Sequence, residues 1–136
     1  MAQGGLGEAQ FGVQTQYFAD RLNGLEAAFC VGASGGLHED LEPGDVVVAT
    51  ETIEHDIRKQ GHPLIPRFQS DGLILDQFRA LSEDERDFSI HFGPVASGDE
   101  DIMSNDRKCD VLDRTGAVAV AWEGAGGARA CRFSSI

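Results

Sequence analysis

Apolar and polar positions along the chain change period several times, and each change marks an expected element. From Glu8 to Leu22, Phe11, Tyr17, Phe18 and Leu22 recur at roughly helical spacing, predicting a helix with these side chains inward that Asn23-Gly24 ends. Ala27-Ala28-Phe29-Cys30-Val31 is a short unbroken apolar run, as in a buried strand, and leads into Gly32-Ala33-Ser34-Gly35-Gly36. After the acidic turn His38 to Asp45, whose acids are expected to be solvated, Val46-Val47-Val48-Ala49-Thr50 is the clearest strand. Glu51 to Asp56 then enters a long excursion containing Gly61, Pro63 and Pro66, of a length that is commonly functional or contacts a partner chain.

Asp71 to Ser82 reads as an amphipathic helix with Leu73, Ile74, Phe78 and Leu81 inward, followed by the solvated run Glu83-Asp84-Glu85-Arg86-Asp87. Phe88 to Ala96 predicts a strand that ends at a second loop of small and acidic residues, Ser97-Gly98-Asp99-Glu100-Asp101. Asn105 or Asp106 can cap a helix to about Arg114 that carries Cys109, Val111 and Leu112. Ala117 to Ala121 is a strand covered on both faces, and the Gly- and Ala-rich stretch to Cys131 is a helix able to lie very close to its neighbours. Strands interleaved with helices argue for an α/β layered fold, and the length for one domain, residues 1–136.

Composition narrows the partners. With 41% hydrophobic and 25% charged residues the chain reads as a globular domain, and 23 acidic against 11 basic side chains give a net charge of −12. That charge repels phosphate backbones and anionic surfaces, arguing against nucleic acid and membranes as partners. No apolar run approaches a membrane span and the first residues lack a leader pattern, so the expected compartment is the cytoplasm. Cys30, Cys109 and Cys131 are an odd number at wide spacing and are expected to be small buried residues, with neither a disulfide framework nor a metal site. No cofactor is expected either.

Candidate chemistry centres on Glu123. It stands where the strand ending at Trp122 turns into the small-residue helix, in the favourable end of the helix dipole and at the strand's carboxyl end, where open α/β sheets bind ligands. The glycines of the Gly32 to Gly36 loop permit close approach of backbone amides to a ligand, and this loop and the Ser97 loop can converge on one crevice. His55-Asp56 has the residue types of a catalytic dyad, but adjacent strand residues point to opposite faces, favouring a structural or interface role.

These segments, in this order, resemble the purine nucleoside phosphorylases and 5′-methylthioadenosine/S-adenosylhomocysteine nucleosidases. Gly5-Leu6-Gly7 resembles the family's Gly-x-Gly segment, and Val31-Gly32-Ala33-Ser34-Gly35-Gly36-Leu37 its Thr-Gly-Ser-Ala-Gly-Gly-Leu loop. Pro43-Gly44-Asp45-Val46-Val47-Val48 with His55-Asp56 is similar to its Gly-Asp-Ile-Val-Val strand and later His-Asp. Ser97-Gly98-Asp99 matches its Ser-Gly-Asp loop, and Val120-Ala121-Trp122-Glu123-Gly124-Ala125 stands where the family has Val-Glu-Met-Glu-Ala-Ala.

The resemblance implies a three-layer αβα sandwich around a mostly parallel or mixed sheet, and a purine nucleoside as ligand. It implies that Glu123 accepts hydrogen bonds from the ribose hydroxyls, with Trp122 at the position of the Met that packs under the sugar. Ala33, Ser34 and Gly35 would line the nucleophile's side, and backbone groups near Asp101 and Ile102 would read the purine edge. This chain departs from the pattern at Trp122, at Asp101, where the family has an aromatic residue, and at Ala33, where it often has Ser. Phosphorylases of the family carry an Arg two residues before the first loop glycine; here that residue is Cys30, which favours hydrolysis of the N-glycosidic bond by water over phosphorolysis.

The family's water-activating carboxylate and purine-protonating Asp would fall on segments before and after these 136 residues, so the fold is expected to be incomplete and turnover by the chain doubtful. Bare sheet edges would then favour a homodimer or higher homo-oligomer. The alternatives are a phosphate-dependent phosphorylase, a non-catalytic nucleoside-binding module, and a structural fragment with a collapsed pocket.

Overall fold

The structure, a computed structural model, describes residues 1–57, 64–81 and 87–136. Gly61 and Pro63 of the expected excursion, Ser82 at the expected end of a helix, and the run Glu83 to Arg86 lie outside the described residues. The elements are α1 (Glu8–Arg21), β1 (Gly35–Gly36), β2 (Val46–Glu54), β3 (Arg67–Gln69), α2 (Gly72–Arg79), β4 (Ile90–Ser97), α3 (Asn105–Thr115), β5 (Ala119–Ala121) and α4 (Gly124–Ser134).

Among the described residues the strands form one mixed sheet in the order β1-β5-β4-β2-β3, flanked by the helices. β2, β4 and β5 run parallel, while β1 pairs antiparallel with β5 and β3 antiparallel with β2. The parallel pairs are joined by helical crossovers, as parallel strands require. In the β4 to β5 crossover, Ser104 Oγ accepts from the Arg107 amide at 3.2 Å to start α3, and Gly116 ends it with φ at 69°. Asn105 and Asp106 are thus the first helical residues rather than the cap. Asp71 caps α2 in the same way, accepting from the Ile74 amide at 3.0 Å, a contact typically worth ~1 kcal/mol.

The central core is small-sided. Leu37, Ala96, Val111, Ala117 and Val120 are buried together, with Ile102 packed against them. Ala119 and Val120 of β5 are both buried, as expected of a strand covered on two faces. β2 continues past Thr50 to Glu54, where Ile53 is fully buried.

Several sequence expectations are corrected. Ala27 to Val31 forms no strand: among the described residues no neighbour pairs with it, and Phe29 and Val31 are exposed. In α1, Tyr17, Phe18 and Leu22 point outward, because the helix packs on α4 through Phe11, Gly12 and Thr15, where glycines permit a closer approach than an aromatic stripe would. In α2 Leu75 is buried, while Leu73 and Leu81 are exposed. Cys30 and Cys109 are exposed and Cys131 half-buried; Cys109 and Cys131 stand on helices whose buried faces are filled by Val111 and Ala130 instead. Asp45 is no solvated turn acid. Its carboxylate accepts from the Glu42 and Ser89 amides and meets His91 Nε2 at 3.0 Å, and these bonds hold its pKa below the ordinary value.

Candidate functional site around Glu123

Parallel pairing of β4 with β5 sets Ser97 opposite Ala121, so both strands release their chains at the same level. Trp122 and Glu123 follow β5, and Glu123 is the N-cap residue of α4. It makes no cap bond of its own; Ser97 supplies that bond instead. The Ser97 hydroxyl is fully buried, accepts from the Ala125 amide at 2.9 Å, and lies 3.3 Å from the Trp122 carbonyl and 2.9 Å from Glu8 Oε1. One side chain therefore fastens the turn on both sides of Glu123. This leaves the Glu123 carboxylate free of α4, and its Oε1 accepts from the Gly7 amide at 3.3 Å.

α1 is also capped from another part of the chain. Gly7 at its N-cap has φ at 80°, a left-handed conformation suited to glycine, and a β-carbon there would lie 2.7 Å from Asp99 Oδ1. Asp99 accepts from the Glu8 amide at 2.8 Å, placing a carboxylate at the positive end of the helix dipole. The Asp99 amide in turn donates to Asp56 Oδ2 at 3.0 Å. Ser97-Gly98-Asp99 thus caps two helices, and Gly98 is required because a β-carbon would approach His55 Nε2 at 2.7 Å and Asp56 Cγ at 2.9 Å.

Beneath this junction the side-chain oxygens of Glu8, Glu54 and Asp56 gather within 4.8 Å of one another. Glu54 is buried and paired with Arg129, whose guanidinium also lies 5.2 Å over the Phe68 ring. Burial pushes the Glu8 carboxyl up to about 7, Ser97 opposes the rise, and the charges of Glu54 and Asp56 add to it. Among the described residues this is the only group with metal-ligand spacing, and Arg129 pairs with one of its three acids.

His55 is fully buried and its amide donates to the Ser97 carbonyl at 2.9 Å. Arg107 Nη2, 3.5 Å from His55 Nδ1, can only donate, which leaves the ring proton on Nε2, without a partner among the described residues. Desolvation lowers the His55 pKa, with the Asp56 charge opposing it. His55 and Asp56 do not splay apart as adjacent strand residues would, because β2 has ended at Glu54; both press on Gly98.

The other expected site residues divide into two groups. Gly35 pairs with Val120 in antiparallel register, which, continued outward, sets Ser34 and Ala33 at the level of Ala121 and Trp122. Both are exposed, as an open crevice wall requires, and Trp122 is half-buried beside them. The Ile102 side chain packs against the buried cluster of Leu37, Ala96, Val111, Ala117 and Val120, and Asp101 is exposed. Cys30 lies close enough to Glu123 for that charge to raise its thiol pKa, although local desolvation contributes more. Cys30 is thus a neutral thiol within electrostatic reach of the Glu123 carboxylate.

Glu8 and the role of Ser97 were not found from sequence. Ser97 was visible only as the first residue of a loop, and nothing in a first-turn helix acid signals contact with a strand 89 residues away. An open groove of about 520 Å³ between α1 and α4, lined by Glu8, Val13, Glu54, Arg129 and Phe133, includes none of the expected site residues.

Comparison with known proteins bears on this arrangement. The chain is 30% identical over 134 residues to the 5′-methylthioadenosine/S-adenosylhomocysteine nucleosidase of Thermotoga maritima, covering 96% of this chain and 58% of the relative. It is 31% identical over 116 residues to the aminodeoxyfutalosine nucleosidase of Helicobacter pylori, covering 80% of this chain and 50% of that protein. The crystal structure of the Helicobacter pylori 5′-methylthioadenosine/S-adenosylhomocysteine nucleosidase superposes with a TM-score of 0.90 at 25% identity, over 99% of this chain and 61% of that one. The Neisseria meningitidis nucleosidase in complex with methylthio-immucillin-A gives 0.83 at 29% identity, over 98% and 62%. The chain therefore spans about three fifths or less of the length of these relatives. Since the phosphorylase superfamily model matches residues 1–136, the resemblance read from five short segments extends over the whole sequence, and the chain belongs to the phosphorylase superfamily.

Proposed function

We propose that the chain binds a purine nucleoside of the 5′-methylthioadenosine type and serves hydrolysis of its N-glycosidic bond. The observation that carries this reading is the Glu123 carboxylate, held at the head of α4 by an amide of the Gly5-Leu6-Gly7 segment and left without a cap bond of its own. An ionised carboxylate in that place accepts both hydroxyls of a ribose diol, each charge-assisted bond being worth ~1.5–3 kcal/mol. Trp122 offers an aromatic face under the sugar, and Ala33, Ser34 and Gly35 form the opposite wall. The backbone at Asp101 and Ile102 would read the base. Departure of the purine passes through an oxocarbenium-like state, in which a sugar gripped at its hydroxyls is held against the attacking nucleophile.

Water is favoured over phosphate as that nucleophile because the Cys30 thiol stands where a phosphate dianion needs a cation. The two named relatives, both nucleosidases, support the same choice. The test is free-base release from 5′-methylthioadenosine, adenosine and inosine, with and without phosphate. Release without phosphate would support hydrolysis. Release only with phosphate would make the chain a phosphorylase, and nucleoside binding without release would make it a binding module. Neither binding nor release would remove the reading. The homodimer and the cytoplasmic setting belong to the same proposal, and sedimentation of the purified chain tests the former.

A further inference from the structure

Glu8 is a half-buried acid that joins the first turn of α1 to the turn carrying Glu123. Ser97 has one hydroxyl hydrogen. Its oxygen already accepts from the Ala125 amide, so that hydrogen goes either to Glu8 Oε1 at 2.9 Å or to the Trp122 carbonyl at 3.3 Å. One residue before Glu8, the Gly7 amide bonds Glu123. Glu8 therefore reaches Glu123 by two routes, through Ser97 to the backbone on either side of it and through Gly7 to its carboxylate.

We propose that Glu8 is a positioning residue for Glu123, acting through Ser97 and Gly7, and that its protonation seats the Trp122 to Ala125 turn in the pose that receives the sugar. The inference rests on the reading of Glu123 as the ribose ligand. The charges around Glu8 set the direction. Glu54 at the end of β2 and Asp56 beyond it face Glu8, Asp99 after β4 binds its amide, and Arg129 of α4 is committed to Glu54. Ionised, Glu8 draws the Ser97 hydrogen away from Trp122 and is repelled by Glu54 and Asp56. Relief comes from lifting the first turn of α1, which takes the Gly7 amide off Glu123. Protonated, Glu8 carries no charge into the cluster and α1 stays seated. The carboxyl's value of about 7 puts this change in the neutral range.

Trp122 is the single tryptophan, so its emission reports the turn without any ligand. In the ligand-free chain, wild-type emission should change with a midpoint near 7, and Glu8→Gln should abolish that change. Ser97→Ala, measured in parallel, should reduce it, since only the Gly7 route then remains, and gives a second readout should Glu8→Gln fail to fold. A transition that persists unchanged in either folded variant overturns the inference, as does a flat wild-type profile. The affinity for 5′-methylthioadenosine should be about fivefold weaker at about pH 8.5 than at about pH 6 in wild type, the low end of ordinary coupling between sites, and independent of pH in Glu8→Gln. A chain whose Trp122 transition requires Glu8 but which binds no nucleoside would leave the positioning link standing and remove the nucleoside reading. Nucleoside binding with one pH profile in both proteins would do the reverse.

Discussion

Replacing Gly126 by alanine isolates the contact that brings α1 onto α4. A β-carbon at Gly126 would lie 2.0 Å from the Glu8 carbonyl oxygen, against 3.4 Å for ordinary contact, so the two helices must part locally by roughly 1.4 Å, the difference between the two. The obstructing atom is backbone and cannot rotate away. Overpacking costs about 1–3 kcal/mol, and a clash with a backbone atom takes the upper end of that range, whereas glycine to alanine inside a helix gains about 1 kcal/mol in propensity, so the net change is destabilising by about 2 kcal/mol. Gly72, at the first position of α2, is the control, since an added β-carbon there meets nothing within 4 Å and Gly72→Ala should be neutral or slightly stabilising. Urea unfolding followed by circular dichroism compares the two, with a lower midpoint expected for Gly126→Ala alone. The Gly126 variant should also weaken nucleoside binding, because α1 carries the Gly7 amide. A Gly126→Ala protein as stable as wild type would refute the close α1 to α4 packing on which the Glu123 geometry depends.

Further outcomes follow from the charges. In the unfolded chain Glu8 titrates near 4.5 and in the folded chain at about 7, so the folded state holds more proton between these values and the stability due to Glu8 falls as pH rises through that window. Glu8→Gln removes this loss, and its stability relative to wild type should increase from about pH 4.5 to about pH 7 and then level off; a constant difference in urea midpoint would contradict it. His55 acts in the opposite sense, its lowered pKa withdrawing stability as pH falls below 6.5, but it is common to both proteins and cancels in the comparison. Arg129→Met strips the buried Glu54 of its partner and Phe68 of its cation, and should cost about 2 kcal/mol in unfolding free energy, less than for a fully buried pair because half of the Arg129 side chain is exposed. No measurable change would show that the pair is solvent-screened.

What could be read in the sequence and what could not differ for physical reasons. Local chemistry was legible: Asp71 before an apolar pattern marks a helix start, Gly116 marks an end, and Val46-Val47-Val48 can hardly be anything but strand. Glu123 was legible because the change from β-branched to Gly and Ala residues fixes where a strand becomes a helix. Faces were not legible wherever they depend on a partner element. Tyr17 and Phe18 satisfy helical periodicity, yet Gly12 and Gly126 decide which side of α1 is buried, and the absence of a large side chain leaves no hydrophobic signal. Ala27 to Val31 has strand composition but, among the described residues, no neighbour to pair with. Ser97 and Glu8 escaped because their meaning is a contact between distant segments.

The most direct measurement is calorimetric titration of 5′-methylthioadenosine, and of adenine alone, into wild type and Glu123→Gln. Loss of one charge-assisted bond to the diol should weaken the nucleoside about tenfold or more while leaving adenine unchanged. Equal nucleoside affinity in the two proteins would contradict the assignment of Glu123 to the sugar.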